Sequence, residues 1–208
     1  MTNTPLKDFF LNINSRFKYY DFDTIFDILL AQSQKEAIPS KKPVVYIIAG
    51  PNGSGKSTLV TNFINYQIFG DKFVNAGIYA QTKFKDVKDQ NERERLSMLY
   101  ATNEFNRLVD ENKTFIFETV LSHESKLDMI KRAKKKGYKI ISIYVFTDLP
   151  EINVDRVNKR TAQGAIPVEE NKVRARYIRS LINATNLKAY DESNRTALHR
   201  EISRHRKP

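Results

Sequence analysis

At 208 residues and 24.2 kDa, the chain is long enough to bury one generous core without help, and its lack of cysteine excludes a disulfide scaffold, a thiol nucleophile and a cysteine zinc site. Thirty-five lysines and arginines against 24 acidic residues leave a net charge of +11; with no recognisable nucleic-acid module, that excess points to small anionic nucleotides ahead of DNA or RNA. No run approaches the roughly 18 apolar residues of a membrane span, and nothing at the N-terminus reads as a secretory leader, so a soluble cytoplasmic protein is expected.

Residues 1–40 read as an N-terminal helical extension. Phe9, Phe10, Ile13 and Phe17, then Ile25, Phe26, Leu29 and Leu30, recur at helical spacing, which predicts two amphipathic helices packing on the main domain, residues 41–208. The Pro39–Pro43 stretch separates the two. Val44–Ala49 predicts a strand, followed by a helix from Lys56 to about Tyr66, and Lys72–Asn75 a second short strand. A long helix is expected over about Gln90–Asp110, burying Leu96, Leu99, Tyr100, Phe105 and Leu108 and turning Glu92, Arg93, Glu94 and Arg95 to water. Thr114–Glu118 is a third strand. Leu127, Met129, Ile130 and Ala133 line a helix that Gly137 caps. Tyr138–Phe146 is a nearly unbroken apolar strand, best placed inside the sheet. Helices follow at about Glu151–Arg160 and Glu169–Lys188. The basic cluster at His199, Arg200 and Arg204–Lys207 reads as a solvated chain end. Alternation of strand and helix predicts an α/β fold, a parallel sheet with helices on both faces.

The sharpest motif is Gly50-Pro51-Asn52-Gly53-Ser54-Gly55-Lys56-Ser57, which meets every fixed position of a phosphate-binding loop and lies between the first strand and its helix. Glycines let successive backbone N–H groups turn inward around an anion, and the helix adds the positive end of its dipole. Lys56 is expected to reach the outer phosphates and Ser57 to offer its hydroxyl to Mg²⁺, with Gly50 to Thr58 forming the nucleotide-binding segment. ATP and Mg²⁺ are the expected ligands.

Ligands of open parallel sheets bind beyond the carboxyl ends of the strands. That rule gathers the loop, the Asn75-Ala76-Gly77 turn and the segment from Glu118 to Ser122 around one crevice. Glu118 closes its strand and is placed to face substrate or the metal's water shell. The stretch from Arg156 through Arg160 and Gly164 to Arg174 and Arg176 reads as a mobile lid of two helices and a glycine-containing loop, with Arg156 and Arg160 on one helix face. Forked guanidinium groups suit a transferring phosphoryl group.

Together the loop, the Phe73-Val74-Asn75-Ala76 turn, Phe117-Glu118-Thr119-Val120-Leu121-Ser122 and the arginine-bracketed lid resemble the zeta toxin family of P-loop kinases over residues 44 to about 190. The resemblance implies a P-loop NTPase fold of the nucleotide-kinase kind. It implies an ATP-dependent phosphotransferase acting on a hydroxyl of a nucleotide sugar such as UDP-N-acetylglucosamine, and a small helical antitoxin as partner. Carried onto this sequence, it makes Lys56, Arg160 and either Arg174 or Arg176 the candidate catalytic residues, Ser57 the metal-binding hydroxyl, and Glu118, Thr119 and Asn75 the substrate residues. One departure stands out. Where the family pattern has an aspartate after Asn-Ala that takes the proton of the attacking hydroxyl, this chain has Gly77. Loss of a general base commonly costs roughly 10²- to 10⁴-fold, so the chain is a weakened kinase, uses another carboxylate such as Asp86 or Glu118, or keeps nucleotide binding without transfer.

Overall fold

The computed structural model describes residues 42–65, 72–187 and 197–200, with backbone alone at 62–65 and 197–200. The helical extension expected over residues 1–40 and the basic residues 204–207 lie outside the described residues. Five strands, β1 (Val44–Ala49), β2 (Phe73–Asn75), β3 (Phe115–Thr119), β4 (Lys139–Phe146) and β5 (Ala197–Arg200), form one parallel sheet in the order β2-β3-β1-β4-β5. Their helices are α1 (Lys56–Asn65), α2 (Ala76–Gln81), α3 (Gln90–Asp110), α4 (Ser125–Lys135), α5 (Pro150–Ala162) and α6 (Glu170–Leu187).

β1 and β4 are central, which is why both read as continuous apolar runs. Val45, Ile47 and Ala49 of β1 point into one core with Phe115, Phe117, Tyr144 and the apolar faces of α3, α4 and α6. Val44, Tyr46 and Ile48 point into the other with Ile116, Ile141, Ile143 and Leu59 and Val60 of α1. A strand covered on both faces has no solvent side to mark by alternation.

Three expectations change. His199 and Arg200, read as part of a solvated chain end, belong to β5 and pair with Val145 and Phe146 of β4; a strand of four residues is too short to carry a periodic signal. The Asn75-Ala76-Gly77 turn opens α2, because the Asn75 Oδ1 accepts the N–H groups of Gly77 at 2.7 Å and Ile78 at 3.2 Å and so caps the helix. In α3 the buried face is Ser97, Ala101, Phe105, Leu108 and Val109, while Leu99 is 50% exposed. Two small residues hide that face from a reading based on size. Arg93 and Glu94 also turn inward: Arg93 donates to the Val87 carbonyl and Glu94 pairs with Arg176.

Gly137 does end α4. Its N–H donates to the Lys134 carbonyl and the Tyr138 N–H to that of Ala133, the paired bonds of a Schellman cap. Tyr138 then turns into the core, where its hydroxyl donates to the Leu108 carbonyl at 2.8 Å and fixes the end of α3.

Candidate nucleotide site

The residues expected around one crevice gather beyond the carboxyl ends of β1, β3 and β4. The Gly50 N–H donates to the Thr119 carbonyl at 3.2 Å, so the loop leaves β1 stitched to the end of β3. No other residue fits at Gly50, where a Cβ would sit 1.9 Å from the Val145 carbonyl oxygen. Gly53, at φ +77°, passes so near α5 that a Cβ would lie 2.6 Å from the Asn153 carbonyl oxygen. The loop is wedged between β4 and the first turn of α5.

Lys56 opens α1 and is 7% exposed. Its Nζ donates to the Pro51 carbonyl at 2.8 Å, across the loop it belongs to. Burial pulls its pKa down to about 8, opposed by the Glu118 carboxylate and assisted by the positive charge of Arg160. The latter effect places the Arg160 guanidinium within electrostatic reach of the loop lysine. Ser57 Oγ donates to Glu118 Oε1 at 3.2 Å, joining the first turn of α1 to the end of β3. The other carboxylate oxygen, Glu118 Oε2, is buried without a hydrogen-bond partner, as are Asn52 Oδ1 and Ser54 Oγ. All three orphaned atoms belong to the loop or to the carboxylate beside it. Buried polar atoms are nearly always satisfied, and the free oxygen of Glu118 lies on the carboxylate that already holds the Ser57 hydroxyl, where a cation would satisfy it.

A divalent cation fits this donor set. Ser57 and Glu118 supply a hydroxyl and a carboxylate side by side, hard oxygen donors suited to Mg²⁺. Among the described residues no three His, Cys, Asp or Glu side chains cluster as a protein-only cage, and a cation that shares its shell with phosphate oxygens needs none.

The other sequence-derived candidates fall differently. Thr119 is buried, and its Oγ1 accepts the Leu121 N–H at 3.1 Å, holding Leu121 at φ +57°. That strained residue is pinned again where its carbonyl accepts from Asn183 Nδ2 at 2.9 Å. Asn75 Oδ1 is taken up by the cap of α2, although β2 and β3 set Asn75 beside Glu118. Gly77 is exposed, and a Cβ there would meet only Asn75 Oδ1, at 3.1 Å. Asp86 is exposed in the connection between α2 and α3.

The arginines divide. Among the described residues, Arg160 has no ion-pair partner. Arg174 is held between Glu151 at 2.6 Å and Glu170 at 2.8 Å, and Arg176 pairs with Glu94 at 3.3 Å. Arg156 lies against the loop itself, its Nη1 3.5 Å from the Gly53 carbonyl.

The two-helix hairpin expected as a mobile lid is anchored at both ends. Asn153 of α5 donates to the Asn52 carbonyl, and α6 is fastened by Tyr177 to the Thr147 carbonyl at 2.6 Å and by Ser180 to the Val120 carbonyl at 2.6 Å. Between the anchors, residues 163–169 cross to α3, where Gln90 Nε2 donates to the Pro167 carbonyl at 2.7 Å. Sequence reading missed Asn153 and Thr147. The available signal was a polar residue four positions before Val157 on a buried helical stripe.

A parallel sheet ordered 2-3-1-4-5, with a phosphate-binding loop running from its central strand into a helix, defines a P-loop fold of the nucleotide-kinase kind. Residues 29–203 match the family model described as Zeta toxin, and the chain belongs to that family. An uncharacterized protein of Haemophilus influenzae is 28% identical over 144 residues, 67% of this chain and 95% of the relative. Two solved structures share the fold: the PezAT chromosomal toxin-antitoxin system of Streptococcus pneumoniae, at a TM-score of 0.56, 18% identity and coverage of 82% of this chain and 75% of that one, and AvrRxo1-ORF1:-ORF2 with ATP, at 0.57, 16%, 78% and 58%.

Proposed function

We propose that the chain binds ATP with Mg²⁺ and transfers its terminal phosphoryl group to a hydroxyl of a small acceptor, with a nucleotide sugar such as UDP-N-acetylglucosamine as the first candidate. The observation that carries the reading is the phosphate-binding loop itself, run from β1 into α1 with its lysine buried and with the Ser57 hydroxyl bonded to a carboxylate, Glu118, whose second oxygen is buried and unpartnered. Membership of the zeta toxin family and the likeness to a structure holding ATP support it.

In this reading the loop amides and Lys56 bind the phosphate chain. Lys56 exchanges the Pro51 carbonyl for a phosphate oxygen, which restores the charge that burial disfavours. Arg160, already electrostatically coupled to Lys56, neutralises charge on the phosphoryl group in flight, as guanidinium groups do in phosphoryl transfer. Ser57 and Glu118 hold the cation, which would neutralise charge on the phosphate oxygens. As the acceptor oxygen bonds to phosphorus, the bond to the bridging oxygen breaks and ADP leaves. The acceptor proton passes to water or to a carboxylate, Glu118 or Asp86, because Gly77 provides none. Arg174 and Arg176 serve as reserves. Their ion pairs are partly exposed and open to solvent screening, so a triphosphate can compete for them.

Gly77 favours a second reading, a zeta-type ATP-binding protein that acts by occupancy, for example of an antitoxin like that of the PezAT system. The two separate on incubation with labelled ATP, Mg²⁺ and a panel of UDP-sugars, with 5′-hydroxyl RNA and DNA as further acceptors. A phosphorylated sugar supports transfer; ATP uptake without any labelled product supports occupancy; labelled nucleic acid replaces the proposed acceptor class.

A further inference from the structure

We propose that Asn153 is a positioning residue for the phosphate-binding loop, holding the Asn52–Gly53 peptide in the one orientation that points the Gly53 N–H away from α5 and toward bound phosphate. The role rests on the reading that the loop grips a triphosphate. Asn153 is fully buried (0% exposed), and its amide bridges two elements: Nδ2 donates to the Asn52 carbonyl and Oδ1 accepts from Thr147 Oγ1. The amide cannot be turned over, because Oδ1 would then oppose the Asn52 carbonyl oxygen, which accepts only. Thr147, also fully buried, lies one residue past β4, so the loop is referred through Asn153 to a central strand.

The carbonyl and N–H of a trans peptide point in opposite directions. Fixing the Asn52 carbonyl on α5 therefore fixes where the Gly53 N–H points. The carbonyls on either side are held as well, Pro51 by Lys56 at 2.8 Å and Gly53 by Arg156 at 3.5 Å. Of the three donors, Lys56 and Arg156 are flexible cations that a triphosphate can draw away. Asn153 is neutral and packed, and it stays. Without it the Asn52 carbonyl would be a partly buried acceptor lacking its donor, and the peptide would relax by rotating, turning one of the cradle's N–H groups out of line.

Asn153→Asp keeps the shape and the acceptor facing Thr147 and removes the donor; Asn153→Ala removes both. Calorimetric titration of the full chain with ATP and Mg²⁺ is expected to give affinity about tenfold weaker for Asn153→Ala, and weaker still for Asn153→Asp, which sets a carboxylate against the Asn52 carbonyl. A general packing role would not move the second readout, the Gly53 amide resonance, which is expected to shift on ATP addition in the wild-type chain and to lose most of that shift in either variant while Gly55 keeps its own. Variants that bind as tightly as wild type, with the Gly53 shift intact, overturn the inference and leave the triphosphate reading standing. A wild-type chain that takes up no ATP overturns that reading, and this role with it. Should neither variant fold, scalar coupling across the hydrogen bond from Asn153 Nδ2 to the Asn52 carbonyl carbon decides in the wild-type protein, its presence supporting the role and its absence overturning it.

Discussion

On the nucleotide side of the site, the carbonyls of Pro51, Asn52 and Gly53 are each held by a side chain, and Glu118 Oε2 is buried without a partner. On the side proposed for the acceptor, the polar groups are already employed: Asn75 caps α2, Thr119 braces Leu121, and position 77 carries no side chain. Binding of an anionic tail needs only backbone donors and one or two cations in fixed places, and one local run of sequence supplies most of them. Transfer to a second molecule needs a carboxylate at one defined point. The two halves of the crevice can therefore diverge, one kept intact while the other is altered.

The largest effect expected on this asymmetry comes from Gly77→Asp. Gly77 is the second residue of α2 and lacks a positive φ, a position where an aspartate is favoured by the helix dipole. Its Cβ would ask only a small adjustment of Asn75 Oδ1, at 3.1 Å. If the missing side chain is the missing base, turnover of a phosphorylated acceptor should rise by roughly 10²- to 10⁴-fold, with ATP affinity nearly unchanged. A variant that folds and shows no gain with any acceptor of the panel makes the occupancy reading the better one. In the opposite direction, Lys56→Ala should weaken ATP binding or turnover by about 10²-fold or more, as does loss of a preorganised donor in other enzymes.

The nucleotide half was legible because its function is written in contiguous residues: loop, lysine and hydroxyl follow one another at fixed spacing, and β1 before them reads as a strand. Of the strand order only the interior place of β4 was constrained, by its nearly unbroken apolar run. What stayed hidden depends on long-range packing. Asn153 acts on a residue 101 positions earlier, and nothing near it in sequence distinguishes it from a satisfied core asparagine. The anchoring of α6 by Tyr177 and Ser180, at the foot of the expected lid, reaches across 30 and 60 positions. On α3, Phe105 and Leu108 are buried as expected, while the small residues Ser97 and Ala101 take the places expected of Leu96, Leu99 and Tyr100. β5 owes its existence to the edge of β4.

Between the halves stand the arginines, and they sharpen the comparison at intermediate size. Arg160→Ala should lower turnover by about tenfold or more, whereas Arg174→Ala, whose guanidinium is occupied by Glu151 and Glu170, should cost less than that. The reverse ranking would mean that Arg174 leaves its carboxylates in the working complex. Lys56 adds a dependence on pH. Its pKa is lowered to about 8, and the protonated form is the one that attracts phosphate. ATP affinity should therefore be flat below pH 8 and fall above it, by up to about one decade per pH unit. Lys56→Arg should abolish that fall, since a guanidinium stays charged throughout. A profile that declines equally in both proteins assigns the titration elsewhere.

The smallest expected effect tests whether Asn75 belongs to the acceptor or to the fold. Asn75→Ala removes the Oδ1 that accepts two N–H groups at the start of α2, and loss of a helix cap costs about 1 kcal/mol of stability. Asn75→Asp retains the acceptor and, with its negative charge at a helix N-terminus, should hold or raise the melting temperature. If Asn75 serves only as a cap, Asp restores both stability and whatever turnover the wild-type chain shows. If its Nδ2 also contacts the acceptor, Asp rescues the melting temperature and leaves the KM for the acceptor raised. The two measurements in one pair of variants separate a group that shapes the crevice from one that touches what enters it.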